Sequence, residues 1–238
     1  MNYYPYPHLE LPFGEDNKWF VFLFDSILRV DQSFIKYDIE DVDKVGASKV
    51  VGTNAHLERV FAYELYRQWM NYLEERGVRN LVVNGEIGKC LKDEFARNSE
   101  QDSQKGRDNF PDLVLHKSQG NDDDQIMVCE IKREDVNDGD LLLDLYKLSC
   151  YLSEQIFWKK PFQYGVFILE GKSASLSKMK IKPGTTSEFK GRNITIEEFK
   201  NKEEFKLKFK NIVCVSYDGK NLSYGTLDNY MDRITKDD

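Results

Sequence analysis

Met127 to Asp135 reads MVCEIKRED, and this stretch decides how the chain is understood. Side chains alternate across a β-strand, so Val128, Glu130 and Lys132 share one face, while Met127, Cys129 and Ile131 share the other. Two opposite charges, one residue apart in an otherwise apolar run, have two physical explanations. Either the face is solvated and the pair is an ordinary ion pair, or the face carries a metal site with a lysine beside it. The flanking segments bear on that choice.

Working outward, FPDLVLHK (residues 110–117) predicts a second strand, and SQGNDDDQ (118–125) predicts a turn-rich hairpin tip leading into the charged strand. NDDD lacks the glycine pattern of a calcium-binding loop and is read as a solvated tip. After a Gly/Asp break, residues 140–158 place Leu141, Leu145, Leu148, Leu152 and Ile156 at helical spacing. FQYGVFILE (162–170) is apolar enough for a central strand. Upstream, residues 55–76 predict a long helix, capped by Thr53 or Asn54 and stopped at Gly77. Its apolar stripe runs through Leu57, Val60, Phe61, Leu65, Gln68 and Tyr72, and Glu64 falls inside it. A carboxylate there needs a partner or a wet cleft. A short strand follows at 80–83, then a polar excursion. The order is helix, strand, strand, strand, helix, strand. It predicts an α/β fold whose mixed sheet is flanked by helices and combines antiparallel hairpins with a crossover helix.

The chain has 238 residues, enough for one good core, and its 40% hydrophobic content argues against wholesale disorder. WFVFLF (19–24) is far too short to span a bilayer, and the N-terminus lacks the basic start and apolar core of a signal peptide. Cys90, Cys129, Cys150 and Cys214 form no CxxC pair, so a zinc site or disulfide framework is not expected and a reducing, cytoplasmic setting is. His8, His56 and His116 are scattered. Residues 1–52 read as an N-terminal appendage around a helix carrying Trp19, Leu23, Ile27, Val30 and Phe34, preceded by a tail with Tyr3, Tyr4 and Tyr6. The aromatics Trp19, Phe20, Phe22 and Phe24 lie on more than one face, so that helix must bury against its own core or a second copy of the chain. Net charge is −7, yet residues 172–210 carry eleven Lys/Arg against five Glu and no Asp. That asymmetry predicts a basic C-terminal extension (171–238) packed on the core, with Lys178, Lys180, Lys182, Lys190 and Arg192 as candidate nucleic-acid contacts; a lysine-rich surface lobe is the plainer reading.

Asp112 lies on the strand just before the hairpin that leads to Glu130 and Lys132. Antiparallel neighbours bring opposing Cβ atoms within about 5.5 Å, so Asp112 can meet Glu130 across the sheet. Two carboxylates at that distance repel unless a hard cation lies between them. Mg²⁺, with Mn²⁺ as its substitute, needs only one or two carboxylates plus water and substrate phosphate. Lys132 on the same face can hold the phosphate or the water that attacks it.

These residues resemble the PD-(D/E)XK nuclease superfamily, the restriction-endonuclease-like fold: Pro111-Asp112 matches the PD, and Glu130-Ile131-Lys132 matches the (D/E)XK. The resemblance covers residues 53–170. It implies metal ligation by Asp112, Glu130 and the Ile131 carbonyl, with Glu64 as the upstream helical acid that helps hold a metal through water. It also implies Mg²⁺-dependent hydrolysis of phosphodiester bonds, with DNA as substrate, in defence or repair. The segment DLYKL (144–148) resembles one seen in some subfamilies, and Asp144 and Lys147 carry over as groups supporting the ligands; a surface i, i+3 pair is their plainer reading. For Glu64 the plainer reading is pairing with Arg67 or Gln68, and for His116 a strand-end residue. Two other functions fit the same residues: a nucleic-acid-binding module that does not cut, and an assembly component docking through the aromatic helix. No membrane partner is expected.

Overall fold

The structure is a computed structural model that describes residues 11–35, 53–85, 111–117, 125–154 and 160–234. The tyrosine-bearing tail with His8, the acidic connector at 36–52, the polar excursion at 86–110 with Cys90 and the hairpin tip at 118–124 lie outside the described residues, as do the side chains of Thr53, Asn54 and His56. In chain order the helices and strands are α1 (Asn17–Leu28), α2 (Thr53–Glu75), β1 (Leu81–Gly85), β2 (Leu113–Lys117), β3 (Gln125–Arg133), α3 (Asp138–Tyr151), β4 (Tyr164–Glu170), β5 (Thr186–Phe189), β6 (Arg192–Thr195), α4 (Ile196–Asn201), α5 (Glu203–Phe209), β7 (Ile212–Tyr217), β8 (Leu222–Thr226) and α6 (Leu227–Ile234). Six strands form one open mixed sheet in the order β1-β2-β3-β4-β7-β8. The first three strands are antiparallel neighbours, β3–β4 and β4–β7 are parallel, and β8 returns antiparallel on β7.

The sheet divides the core in two. Phe20, Leu23, Phe24 and Ile27 of α1 and Phe61, Leu65, Trp69 and Leu73 of α2 cover one face, meeting Met127, Cys129 and Ile131 of β3. The other face belongs to α3 and the C-terminal helices, which meet Val114, Val128, Phe167 and Leu169. The alternation expected of MVCEIKRED is therefore the alternation observed. Helix α2 stops where expected, at Gly77: with φ +68° it lets its own N–H donate to the Glu74 carbonyl and the Val78 N–H donate to the Leu73 carbonyl, closing the helix end. Gly165 in β4 lets α3 lie close, since a Cβ there would stand 3.3 Å from Leu152 and 3.5 Å from Leu148.

Three expectations change. The N-terminal helix ends at Leu28 rather than running on to Phe34, because Asp31 adopts extended geometry and accepts the Ser33 N–H, starting a separate 3-10 turn at Gln32–Phe34. Nor is α1 peripheral: it buries against the chain's own core, with Phe20 packed between Phe13 and Tyr164 at ring separations of 5.0 and 5.2 Å. The C-terminal part is likewise more than an extension. β7 and β8 complete the main sheet, and Phe199, Phe205 and Phe209 join the α3 core, where Tyr146 meets Phe205 edge-on at 5.1 Å. Cys129, Cys150 and Cys214 are free and buried. Among the described residues no helix is long and apolar enough to cross a membrane.

Candidate active site

Asp112 stands one residue before β2, and the register Leu113 opposite Cys129 carries it opposite Glu130 on β3. Two bonds pin it there: its N–H donates to the Cys129 carbonyl at 3.1 Å, and its Oδ2 accepts the Ile131 N–H at 2.6 Å. Asp112 follows the phase of Val114, and Glu130 and Lys132 follow that of Val128, so all three lie on the face covered by α3. Ile131 takes part through its N–H, which donates to Asp112.

Helix α3 begins at Asn137, whose side chain caps it by accepting the Asp140 N–H at 2.9 Å. Two turns on, it presents Asp144 and Lys147 to the sheet. Asp144 is 1% exposed, so this is no surface pair. Its Oδ1 accepts Lys147 Nζ at 3.0 Å, and its Oδ2 lies 3.7 Å from Lys132 Nζ. Lys132 is also held from the other side, by Glu58 of α2 at 3.2 Å, and Glu58 reaches the Arg133 N–H at 3.5 Å. One end of β3 therefore gathers Asp112, Glu130, Asp144 and Glu58 around Lys132 and Lys147.

Burial governs the protonation of this cluster. Glu130 is 2% exposed, and its Oε1 has no hydrogen-bond partner; neither has the buried Asp144 Oδ2. Burial pushes the Glu130 carboxyl well up; Lys147 opposes the shift, while Asp144 and Asp112 add to it. Asp112 is pushed up to about 6, again mainly by burial, with the Ile131 N–H and Lys132 pulling it back. For Lys132 burial works against the charge, but Asp144, Glu58 and Asp112 outweigh it and the ammonium is held above its ordinary value. Lys147 behaves alike, through Glu130 and Asp144. Four carboxyls set against two ammoniums leave room for a divalent cation. Among the described residues no three His, Cys, Asp or Glu side chains form a group that could hold a metal ion. Two carboxylates with water are nevertheless sufficient for magnesium, and the orphaned Glu130 oxygen is the kind of hard donor it takes.

Glu64 is not in this cluster. It is 6% exposed, but its carboxylate accepts Arg67 Nε at 2.8 Å, Arg67 Nη2 at 2.5 Å and Gln68 Nε2 at 2.7 Å within its own helix, and the Arg67 bonds above all hold its pKa down. The acid that α2 does bring to Lys132 is Glu58, six residues earlier and on a different side of the helix. The apolar stripe did not single it out. Asp144 did leave a signal: it falls at i+3 from Leu141, inside the stripe continued by Leu145 and Leu148. His116 bonds Asn84 at 2.6 Å and the Lys117 carbonyl at 2.8 Å, at the other end of β2 from Asp112.

The basic residues begin beside the site and spread away from it. Lys178 donates to Ser173 Oγ at 2.7 Å, and Ser173 in turn donates to Glu134, two residues past Lys132. The Lys182 N–H donates to Asp138 in the first turn of α3 at 3.0 Å. Lys190 occupies the β5–β6 turn with φ +52°, and Arg192 is paired with Glu198. Lys180 is exposed. Comparison with family models, curated proteins and solved structures gave no match.

Proposed function

We propose that the chain is a divalent-metal-dependent nuclease with a restriction-endonuclease-like core, hydrolysing phosphodiester bonds in DNA. The observation that carries this reading is the position of Asp112 opposite Glu130, on the same sheet face as Lys132, with a buried Glu130 oxygen left without a hydrogen-bond partner. Asp112 and Glu130 would hold the cation, with the Ile131 carbonyl as a further donor. When bound, Mg²⁺ or Mn²⁺ supplies Lewis-acid stabilisation of the phosphate and lowers the pKa of a bound water.

The chain's own residues have separate tasks. The Ile131 N–H orients Asp112. Lys132, always charged and fixed between Glu58 and Asp144, meets the negative charge that grows on the phosphate oxygens. Lys147 and Asp144 position that lysine and balance Glu130. Burial raises the Glu130 pKa, so a proton competes with the cation for that carboxyl, and cation binding strengthens as the pH rises.

The test is incubation of plasmid and single-stranded DNA with Mg²⁺ or Mn²⁺, alongside Lys132→Ala. Metal-dependent products from the wild type alone support the reading; no cleavage, or equal cleavage by both proteins, contradicts it. A second reading, nucleic-acid binding without cleavage, draws on the basic stretch 172–210, where Lys178 and Lys180 are exposed. Salt-sensitive binding with no metal-dependent product would favour it.

A further inference from the structure

Helix α2 carries a second feature along the border of its buried stripe, where Ala62 still packs into the core. Arg59, Ala62, Tyr63 and Tyr66 fall at i, i+3, i+4 and i+7 and so share one strip of surface. Together with Gly85 at the end of β1 and Asp112 and Leu113 at the start of β2, they line a cavity of about 240 Å³. Tyr63 is 60% exposed and Tyr66 36%, which is unusual for large rings on a helix whose neighbours Phe61, Leu65 and Trp69 are fully buried. Neither ring stacks on another aromatic among the described residues. Whole small-molecule sites run from roughly 300 Å³ upward, so this cavity suits one planar ring better than a complete cofactor. Asp112 also borders it, at the start of β2, while its carboxyl follows the phase of Val114 to the α3 face, so the cavity lies across the end of the sheet from the proposed cation.

We propose that this cavity takes the base of an unpaired nucleotide next to the scissile phosphate, so that the substrate is single-stranded DNA or a duplex end that has opened. The inference rests on the nuclease reading and names the substrate of that same site. A strand whose phosphate reaches Asp112 runs over the end of β2, which brings an adjacent nucleotide to the cavity mouth, where two exposed tyrosines offer stacking faces. Stacking on tyrosine is available to any base, because every base has a π-face, but only once the base has left its duplex. The cavity therefore selects for strand type and not for sequence.

The test uses the full chain and three fluorescent probes: a single-stranded oligonucleotide, the same strand with one abasic position, and the matching duplex. Replacing both tyrosines (Tyr63→Ala with Tyr66→Ala) should weaken single-strand binding roughly ten- to hundredfold, and change duplex binding little. The abasic probe should bind wild type more weakly than the intact strand, and that difference should vanish in the double variant. Tyr63→Phe with Tyr66→Phe should restore binding, since the ring and not the hydroxyl is required. Equal losses on single strand and duplex, or no loss, with the wild type still cleaving DNA, would overturn the base site and leave the nuclease reading standing. A double variant that melts well below wild type would also overturn it, by showing that the rings pack on the protein itself. A wild type that neither binds nor cuts any nucleic acid would end both.

Discussion

Glu130 and Glu170 lie on neighbouring parallel strands, and both are buried almost completely, yet their surroundings separate them. Glu130 faces α3 and meets Asp112, Asp144, Lys132 and Lys147. Glu170 follows the phase of Ile168 toward the α1–α2 side, and neither of its oxygens has a hydrogen-bond partner. Burial raises the pKa of both carboxyls, so burial alone does not mark a functional acid. What distinguishes Glu130 is convergence: a second carboxyl fixed opposite it, and two ammoniums held by further acids. Glu170 has the Arg133 charge in register beside it and more acids around it, a setting in which the neutral acid is the stable form.

The largest effect should separate the two sites. Glu130→Gln or Lys132→Ala should lower cleavage by about a thousandfold or more, as loss of a group that stabilises transition-state charge does, while Glu170→Gln should leave the rate within about twofold. A gel assay with matched melting curves checks both. Comparable losses at the two positions would erase the distinction.

Stability against pH sharpens the contrast next. Burial pushes the Glu170 carboxyl from 4.5 up to about 8, with Arg133 opposing. Between those values the folded chain keeps a proton that the unfolded chain has released, so the stabilisation is fully present below pH 4.5 and is lost as the pH rises through about 8. Metal-free wild type should therefore lose roughly 2–4 kcal/mol of stability across that range. Glu170→Gln should make the profile less steep, with Asp112 and Glu130 supplying the slope that remains, and be the more stable protein at pH 8, read by urea titration at several pH values. A wild type that gains stability toward pH 8 would contradict this.

Smaller effects distinguish the two acids of α2. Glu58→Gln should cost about tenfold in cleavage, because it loosens Lys132 through a charge-assisted bond. Glu64→Gln should leave cleavage unchanged and cost at most about 1 kcal/mol of stability, its partner Arg67 being largely exposed. Last, Lys178→Glu with Lys182→Glu should weaken DNA binding evenly across sequences and lower the salt slope by about one for each phosphate contact removed.

Much of this arrangement is legible in MVCEIKRED and its flanks. Alternation fixes the two faces of β3, the hairpin brings Asp112 to Glu130, and leucine spacing sets α3 against the sheet. What the sequence hides is where helices meet strands in space. Glu64 sits in an apolar stripe and invites a functional reading, but Arg67 and Gln68, one turn on, satisfy it locally. Glu58 looks ordinary because its role comes from the start of α2 reaching the exit of β3, which periodicity does not encode. Asp144 sits in the leucine stripe and carries the same warning as Glu64, this time with a partner on another element. Taken alone, NIVCVSY (211–217) and NLSYG (221–225) each read as a short strand, which matches β7 and β8. Their place in the main sheet is not legible in the same way, because β4 and β7 pair in parallel across a connection of about forty residues containing its own hairpin and helices.

The central claim, a cation held between Asp112 and Glu130, is tested most directly by anomalous diffraction from crystals soaked in Mn²⁺. The account predicts a manganese peak within about 2.0–2.6 Å of oxygens from both carboxylates. A peak elsewhere, or carboxylates that stay apart with no peak between them, would contradict it.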